Sequence, residues 1–461
     1  MFNRAQRRNP SLPQTPYGGP SEFMDSDRRR PWLVLLAICG ALAFTLPAEC
    51  QFIPADLHGG DVESELLLLN RQTQPQITRI LHNYSLTVSS PLVSNSLAFG
   101  TGGVLRLSDW KTTALRMNES KAFSKVALEL ETSDEGKSYN ANVRTSKASN
   151  TPGSFVLGFI KGLPLKTSYL DIWNIGGSPV HFNSRYRWDS NRRRAEAKVL
   201  VPVPVPGILF LEFGSLWRSE LWDLSPQNAY RFNSSGVHLT VKRIQNQRLE
   251  IGGGIEYSNR AGATDVGSFL ANTRVRLFDG RYKSQVLVDG FLARASVLGD
   301  VNYSGAKVGL VNRLVVSEGS GAFIDLSVRG GTTRGQLPVE DYFILGVDGE
   351  TPYLLRGHVA ATEGRYGRSP MGTDFILFNS DIERRVWTLP IGKDMEIKGE
   401  LFLDGAKVFD RNRVFNQAGW FFDAGVAARI QLPGSDLVVL YGRSLNHGSG
   451  VIAGYIEHHF W

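Results

Sequence analysis

Cysteine is almost absent from this 461-residue chain, with only Cys39 and Cys50 present. Cys39 lies inside an apolar leader run and Cys50 just beyond it, so the exported part has at most one and no internal disulfide is possible. Leu46 stands four residues before Cys50, but Pro47 and Glu49 fill positions where a lipid-attachment motif needs small residues, so Cys50 is read as unmodified. The 8 histidines show no metal-binding spacing. The nearest approach, Glu457-His458-His459, falls on a terminal strand, where adjacent side chains face opposite sides. The sequence has no G-x-S-x-G, no phosphate-gripping loop with lysine and no H-E-x-x-H, so the chain reads as a non-enzyme with no cofactor and no metal. Long hydrophobic runs are missing too. Trp32–Phe44 spans thirteen positions, short of the roughly twenty a membrane helix needs, and no other stretch comes close.

The charge balance is +7, but the basic residues are scattered. Arg28, Arg29 and Arg30 precede the apolar run and belong to targeting, while Arg192, Arg193 and Arg194 read as a solvated turn between strands. No basic face on a nucleic-acid-binding fold is visible, so nucleic acid is not a predicted partner. Residues 25–50 carry a basic flank, an apolar core and a small-residue exit near Ala48, as a signal peptide does. Met24 stands immediately before this block and is the predicted physiological start; residues 1–50 are then an amino-terminal extension and signal peptide.

What is abundant is glycine (48) together with 25 Phe, 14 Tyr and 9 Trp. That mixture suits many short aromatic strands joined by tight turns. Mean hydropathy is only −0.16, which would count against a helical membrane protein. A barrel wall alternates lipid-facing apolar residues with lumenal polar ones, so its average looks soluble.

From residue 153 to 461 such alternating segments recur, among them Val180–Trp188, Gly207–Trp217 and Gly236–Ile244. Several hold about ten residues, the length that crosses a membrane at a tilt. Aromatics gather at segment ends (Tyr186, Trp188, Trp217, Trp222, Trp387, Trp420), as interfacial girdles do. Tyr455, Phe460 and Trp461 close the final strand in the manner of an outer-membrane insertion signal. These features predict an all-β transmembrane β-barrel of 16 antiparallel strands, with twelve or fourteen also compatible with the count. Before it, residues 51–152 predict a small α+β periplasmic domain. Asp61–Arg79 is its best helix candidate, limited by Pro75, and Leu105–Ser120 is short and mixed. Phe123–Glu131 and the segment SYNANVRTS form a hairpin with one covered face.

Two resemblances follow from particular residues. The stretch from Leu115 to Thr145, a helix leading into an F-x-x-V strand, a turn and a closing strand, resembles the second half of a POTRA domain. Between Phe343 and Asp410, three elements occur in order: Leu355-Arg356-Gly357-His358, then Asn379-Ser380-Asp381-Ile382-Glu383-Arg384, then Phe402 to Asp410. Together they resemble the long loop and following strands of the Omp85 (bacterial surface antigen) superfamily. The resemblance implies a Gram-negative outer-membrane barrel for protein insertion and transport, with its amino-terminal region in the periplasm. It would insert or translocate unfolded client polypeptides without nucleotide hydrolysis. Implied partners are outer-membrane lipid, the client, periplasmic or lipoprotein accessory subunits, and the barrel assembly machinery during biogenesis. It also implies a loop folded into the lumen and anchored there by Arg356, which stays charged and so needs carboxylates, with Glu383 and Asp404 the candidates. Gly357 would let the tip turn tightly. A passive outer-membrane pore or structural barrel of the same fold is the alternative. A bland extracellular β protein is a third reading, disfavoured by the aromatic last strand.

Overall fold

The computed structural model describes residues 66–71, 74–83, 90–134, 138–148, 150, 155–156, 159, 162–163 and 166–458, apart from 226–227, 262–264, 279–281, 294–300, 318, 349–352, 390–394, 416–418 and 433–434. The leader, Cys39, Cys50, Phe460 and Trp461 lie outside the described residues.

The amino-terminal part is built on strand β1 (Gln76–His82), a short helix Pro91–Ser96, a helix Leu107–Glu119, and strands β2 (Phe123–Asp134) and β3 (Ser138–Lys147). The sheet order is β1-β3-β2, with β1 parallel and β2 antiparallel to β3. Trp110, Ala114 and Met117, spaced to share one helical face, are buried with Ile77, Leu128, Ala141 and Val143 of the sheet. The helix predicted over Asp61–Arg79 is corrected: among the described residues only 66–71 are helical, and Gln76–His82 is a strand. Pro75 has no N–H for a helical ladder, and the β-branched Ile77, Thr78 and Ile80 after it suit a pleated sheet. The mixed segment from Leu105 instead supplies the long helix.

The rest is one large antiparallel sheet. Its strands are β4 (Thr167–Ile172), β5 (His181–Asp189), β6 (Arg192–Val203), β7 (Leu209–Ser225), β8 (Asn228–Ile244), β9 (Leu249–Ala261), β10 (Val266–Phe278), β11 (Tyr282–Ala293), β12 (Tyr303–Ser317) and β13 (Ala322–Gly335). Three two-residue strands follow, β14 (Phe343–Ile344), β15 (Arg365–Tyr366) and β16 (Met371–Gly372). The last five are β17 (Asp374–Leu389), β18 (Met395–Phe409), β19 (Gly419–Leu432), β20 (Ser435–Ser444) and β21 (Gly450–His458). Sequence neighbours pair throughout, with β13 passing directly to β17. Fifteen strands therefore lie on one path from β4 to β21, and β15 is the sixteenth member through its parallel pairing with β7.

Polarity along the strands is inside out. On β18, Leu401 and Leu403 are 59% and 49% exposed, while Glu400, Phe402 and Asp404 between them are buried. On β8, Val237, Leu239 and Val241 are exposed. A sheet that turns leucine outward and carboxylates inward has hydrocarbon as its outer solvent. Tyr186, Trp217, Trp387 and Trp420 are on the exposed side, but Trp222 is not. The girdle reading of Trp222 is corrected: it is buried on the inner side, its ring 5.0 Å from that of Tyr366 in the β13–β17 connection.

Candidate functional site

The described part of that connection, residues 336–348 and 353–373, folds back into the barrel. Phe343 of the loop packs against Phe375 of the wall with ring centroids 4.8 Å apart, and Tyr353 lies 4.5 Å from the same ring. The loop tip lies on the inner face of β17–β20, whose register presents polar groups in a row: Asn379 is opposite Asp404, Asp404 opposite Asp423, and Asp423 opposite Ser444. Because alternate residues of each strand face inward, one register sets the whole row.

Three members of this row meet the tip backbone, at Leu354, Arg356 and Gly357. The Asn379 amide donates to the carbonyl of Leu354 at 2.6 Å and to Asp404 Oδ1 at 2.7 Å. Asp404 Oδ2 accepts the backbone N–H and the Nε–H of Arg356, each at 2.9 Å, and Oδ1 accepts Nη2–H at 2.6 Å. The second fork of the guanidinium donates from Nη1 to Glu400 Oε1 at 2.6 Å, and Nη2 also contacts Asp381. Its flat face lies 3.9 Å from the centre of the Phe402 ring. The Gly357 N–H then donates to Asp423 Oδ2 at 2.5 Å, and His358 Nδ1 lies 3.1 Å from the same oxygen. Arg356 is 2% exposed, so this is a desolvated ion cluster of one guanidinium and three carboxylates.

The structure thus brings Arg356, Gly357 and Asp404 together and sets Glu383 apart. Pairing of Glu383 with Arg356 is corrected: Glu383 faces Arg313 at 3.7 Å and Arg429 at 3.5 Å, one tier further from the tip. Glu400, cross-strand from Glu383, takes the predicted place and also reaches Arg429 at 3.2 Å. The requirement for glycine at 357 is also different in kind. Its backbone is not among the positive-φ positions; instead, a Cβ there would sit 2.5 Å from Asp423 Cγ. Gly442 on the wall is equally constrained, since a Cβ would lie 2.0 Å from the Arg356 carbonyl oxygen. Asp381, Glu400, Asp423 and Gly442 were missed by sequence reasoning. Two-residue parity from Asn379 and Asp404 was the available signal for the first two. Tyr455 points into the lumen against Val347, Phe402 and Val438.

Arg192, expected in a solvated turn, is instead buried against the loop. It is 2% exposed and pairs with Asp348 of the loop at 2.8 Å.

The helix Leu107–Glu119 meets the opposite rim of the barrel. Arg116 donates to the carbonyls of Ile244 and Gln245 at 3.2 and 3.1 Å, and Lys242 Nζ to Glu119 at 2.8 Å.

The wall and its docked amino-terminal part define an outer-membrane β-barrel whose amino-terminal region is periplasmic. No protein-family profile matches the chain, and no curated protein does. Among solved structures, CdiB from Escherichia coli matches at 12% identity with a TM-score of 0.58, over 83% of this chain and 74% of that one. CdiB from Acinetobacter baumannii matches at 13% identity with the same TM-score and coverage. BamA from Haemophilus ducreyi lacking POTRA domains 1–3 matches at 10% identity and a TM-score of 0.49, over 83% of this chain and 84% of that one. At such identities the likeness to the two CdiB structures is one of fold.

Proposed function

We propose that the chain is an assembly or secretion barrel of the Omp85 kind, which inserts or translocates unfolded client polypeptides at the outer membrane without nucleotide hydrolysis. The observation that carries this reading is the loop tip: Arg356 held inside the lumen by Asp404, Glu400 and Asp381. A loop fixed in the lumen suits a machine that must hold a seal while handling a client, and it would obstruct a freely conducting pore. The barrel comprises residues 153–461, and 51–152 form a POTRA-like periplasmic region. Its strand–helix–helix–strand–strand order supports that assignment, and β2 stands at the sheet edge, where an extended client can add as a strand. Strands β4 and β21, the two ends of the wall path, are the working seam. Accessory subunits and the barrel assembly machinery are its protein partners, and the 455–461 segment is its insertion signal.

The test is reconstitution of the mature chain in proteoliposomes with unfolded barrel or exoprotein clients, beside an Arg356→Asp variant. Client insertion or translocation that the variant loses is the expected result. Solute conductance with no client handling would instead establish the passive-pore alternative.

A further inference from the structure

The loop is held at a second place, on the other side of the lumen, where two of its ion pairs have the charges reversed. At the tip the loop supplies the arginine and the wall the acids. On β6 and β9 the wall supplies the arginines and the loop the acids. Arg260 of β9 donates from Nη2 to both oxygens of Asp341, at 2.9 and 2.7 Å, and Tyr303 of β12 donates to Asp341 Oδ2 at 2.7 Å. Arg192 of β6 donates to Asp348 at 2.8 Å and to the Tyr366 hydroxyl at 2.9 Å. Both arginines are buried, and Tyr366 is hydrogen-bonded into the wall by the β15–β7 pairing, opposite Trp222. Along the wall path β6–β9 and β17–β20 are separated by four intervening strands on one side, and on the other by β21, β4 and β5. The two attachments are therefore across the lumen from each other.

We infer that Arg192 and Arg260 are positioning residues of a second lock, which with the Arg356 lock makes the loop segments 339–348 and 353–368 a strut closing the lumen from wall to wall. Each lock is a set of ion pairs made by a buried arginine or arginines, with its own wall and its own loop segment, so release of one leaves the other made. The limb carrying Asp341 and Asp348 stays shut when the tip lets go, so a client or partner must break the second lock to open a continuous path. This rests on the loop's being the working part of the proposed machine, but its test needs no client.

The probe is an Ala360→Cys reporter, a loop position fully buried in the closed state, in a background with Cys50 replaced by Ser. Labelling by a membrane-impermeant maleimide and single-channel conductance in planar bilayers are read together, with heat-modifiable gel mobility as the check on folding. Arg192→Ala with Arg260→Ala should raise the labelling rate about tenfold, equivalent to about 1.4 kcal/mol of lost closure, and raise conductance. Arg356→Ala alone should leave labelling within about twofold of the parent, since distant sites act independently. Unchanged labelling and conductance in the Arg192/Arg260 variant would overturn the second lock, as would full opening by Arg356→Ala alone. If the double variant does not fold, Arg260→Asp should open the lumen and Arg260→Asp with Asp341→Arg should close it again; failure to restore closure counts against the inference. A parent that shows both locks but handles no client would refute the proposed function and leave the strut standing.

Discussion

Replacing Arg356 by Ala removes the only guanidinium facing Asp381, Glu400 and Asp404 directly from the loop tip, and its consequence can be sized from the contacts. Arg356 makes two side-chain bonds to Asp404, one to Glu400 and a face contact with Phe402. Removing one member of a buried ion pair costs about 3–5 kcal/mol, because the remaining charge is left without compensation. Three carboxylates remain here, and among the described residues only Glu400 has another cation close by, Arg429 at 3.2 Å. Arg356→Ala belongs at the upper end of that range. Asp404→Ala should cost a similar about 3–5 kcal/mol, since it strands the Arg356 side chain and backbone N–H and one bond of the Asn379 amide. The double variant should cost less than the sum by about 2–3 kcal/mol, the coupling that direct partners show. Arg356→Lys keeps the charge but not the fork, and should fall between parent and Arg356→Ala. Urea unfolding of the barrel refolded in lipid, followed by tryptophan fluorescence and by unheated gel mobility, reads all four. Additive single losses, within about 0.5 kcal/mol, would refute the pairing and with it the account of the tip.

Two further tests address the wall and the docked helix. Leu401→Arg places a cation on the lipid side of β18 near its middle and should destabilise the folded barrel by about 2–4 kcal/mol in the same unfolding assay; a neutral effect would mean that this face does not meet hydrocarbon. Burial pushes the Glu119 carboxyl up, but Lys242, aided by Lys121, overrides it and lowers it from its usual 4.5 to about 2. Its folded value lies below its unfolded one, so its contribution to docking is complete above pH 4.5 and lost as the pH falls toward 2. Trp110 fluorescence across that window should report undocking, and Lys242→Met should abolish the dependence; an unchanged titration in the variant would place the transition elsewhere.

The barrel was legible because alternation encodes it directly: Leu401, Phe402, Leu403 and Asp404 announce their faces by parity alone. The tip was legible through Arg356 and Gly357 in ordered company with Asp404. Glu383 was misassigned for a physical reason. Asn379, Asp381 and Glu383 share one inward face, and only the stagger of β17 against the loop decides which tier meets the tip. Parity cannot supply that distance. Arg192 escaped because a turn arginine looks solvated until the loop carrying Asp348, distant in sequence, is placed upon it. The first strand was hidden inside a helix pattern that Pro75 ends.

The loop does for this barrel what an apolar core does for a soluble protein, and its chemistry follows from the wall's inversion. With leucines committed to lipid, the inner face is left with carboxylates and guanidiniums that water or opposite charge must satisfy. The loop satisfies both kinds, presenting Arg356 to the acids of β17 and β18, and Asp341 and Asp348 to the arginines of β9 and β6. Withdrawing it from a dry lumen would leave uncompensated ions on opposite walls, at several kcal/mol for each pair. The same charges in a water-filled channel are solvated, and that penalty largely disappears. Loop release and lumen hydration are therefore one event: any client that opens the strut must admit water or bring polar groups of its own. An extended polypeptide, with a donor and an acceptor at nearly every residue, is the kind of cargo that can meet this demand.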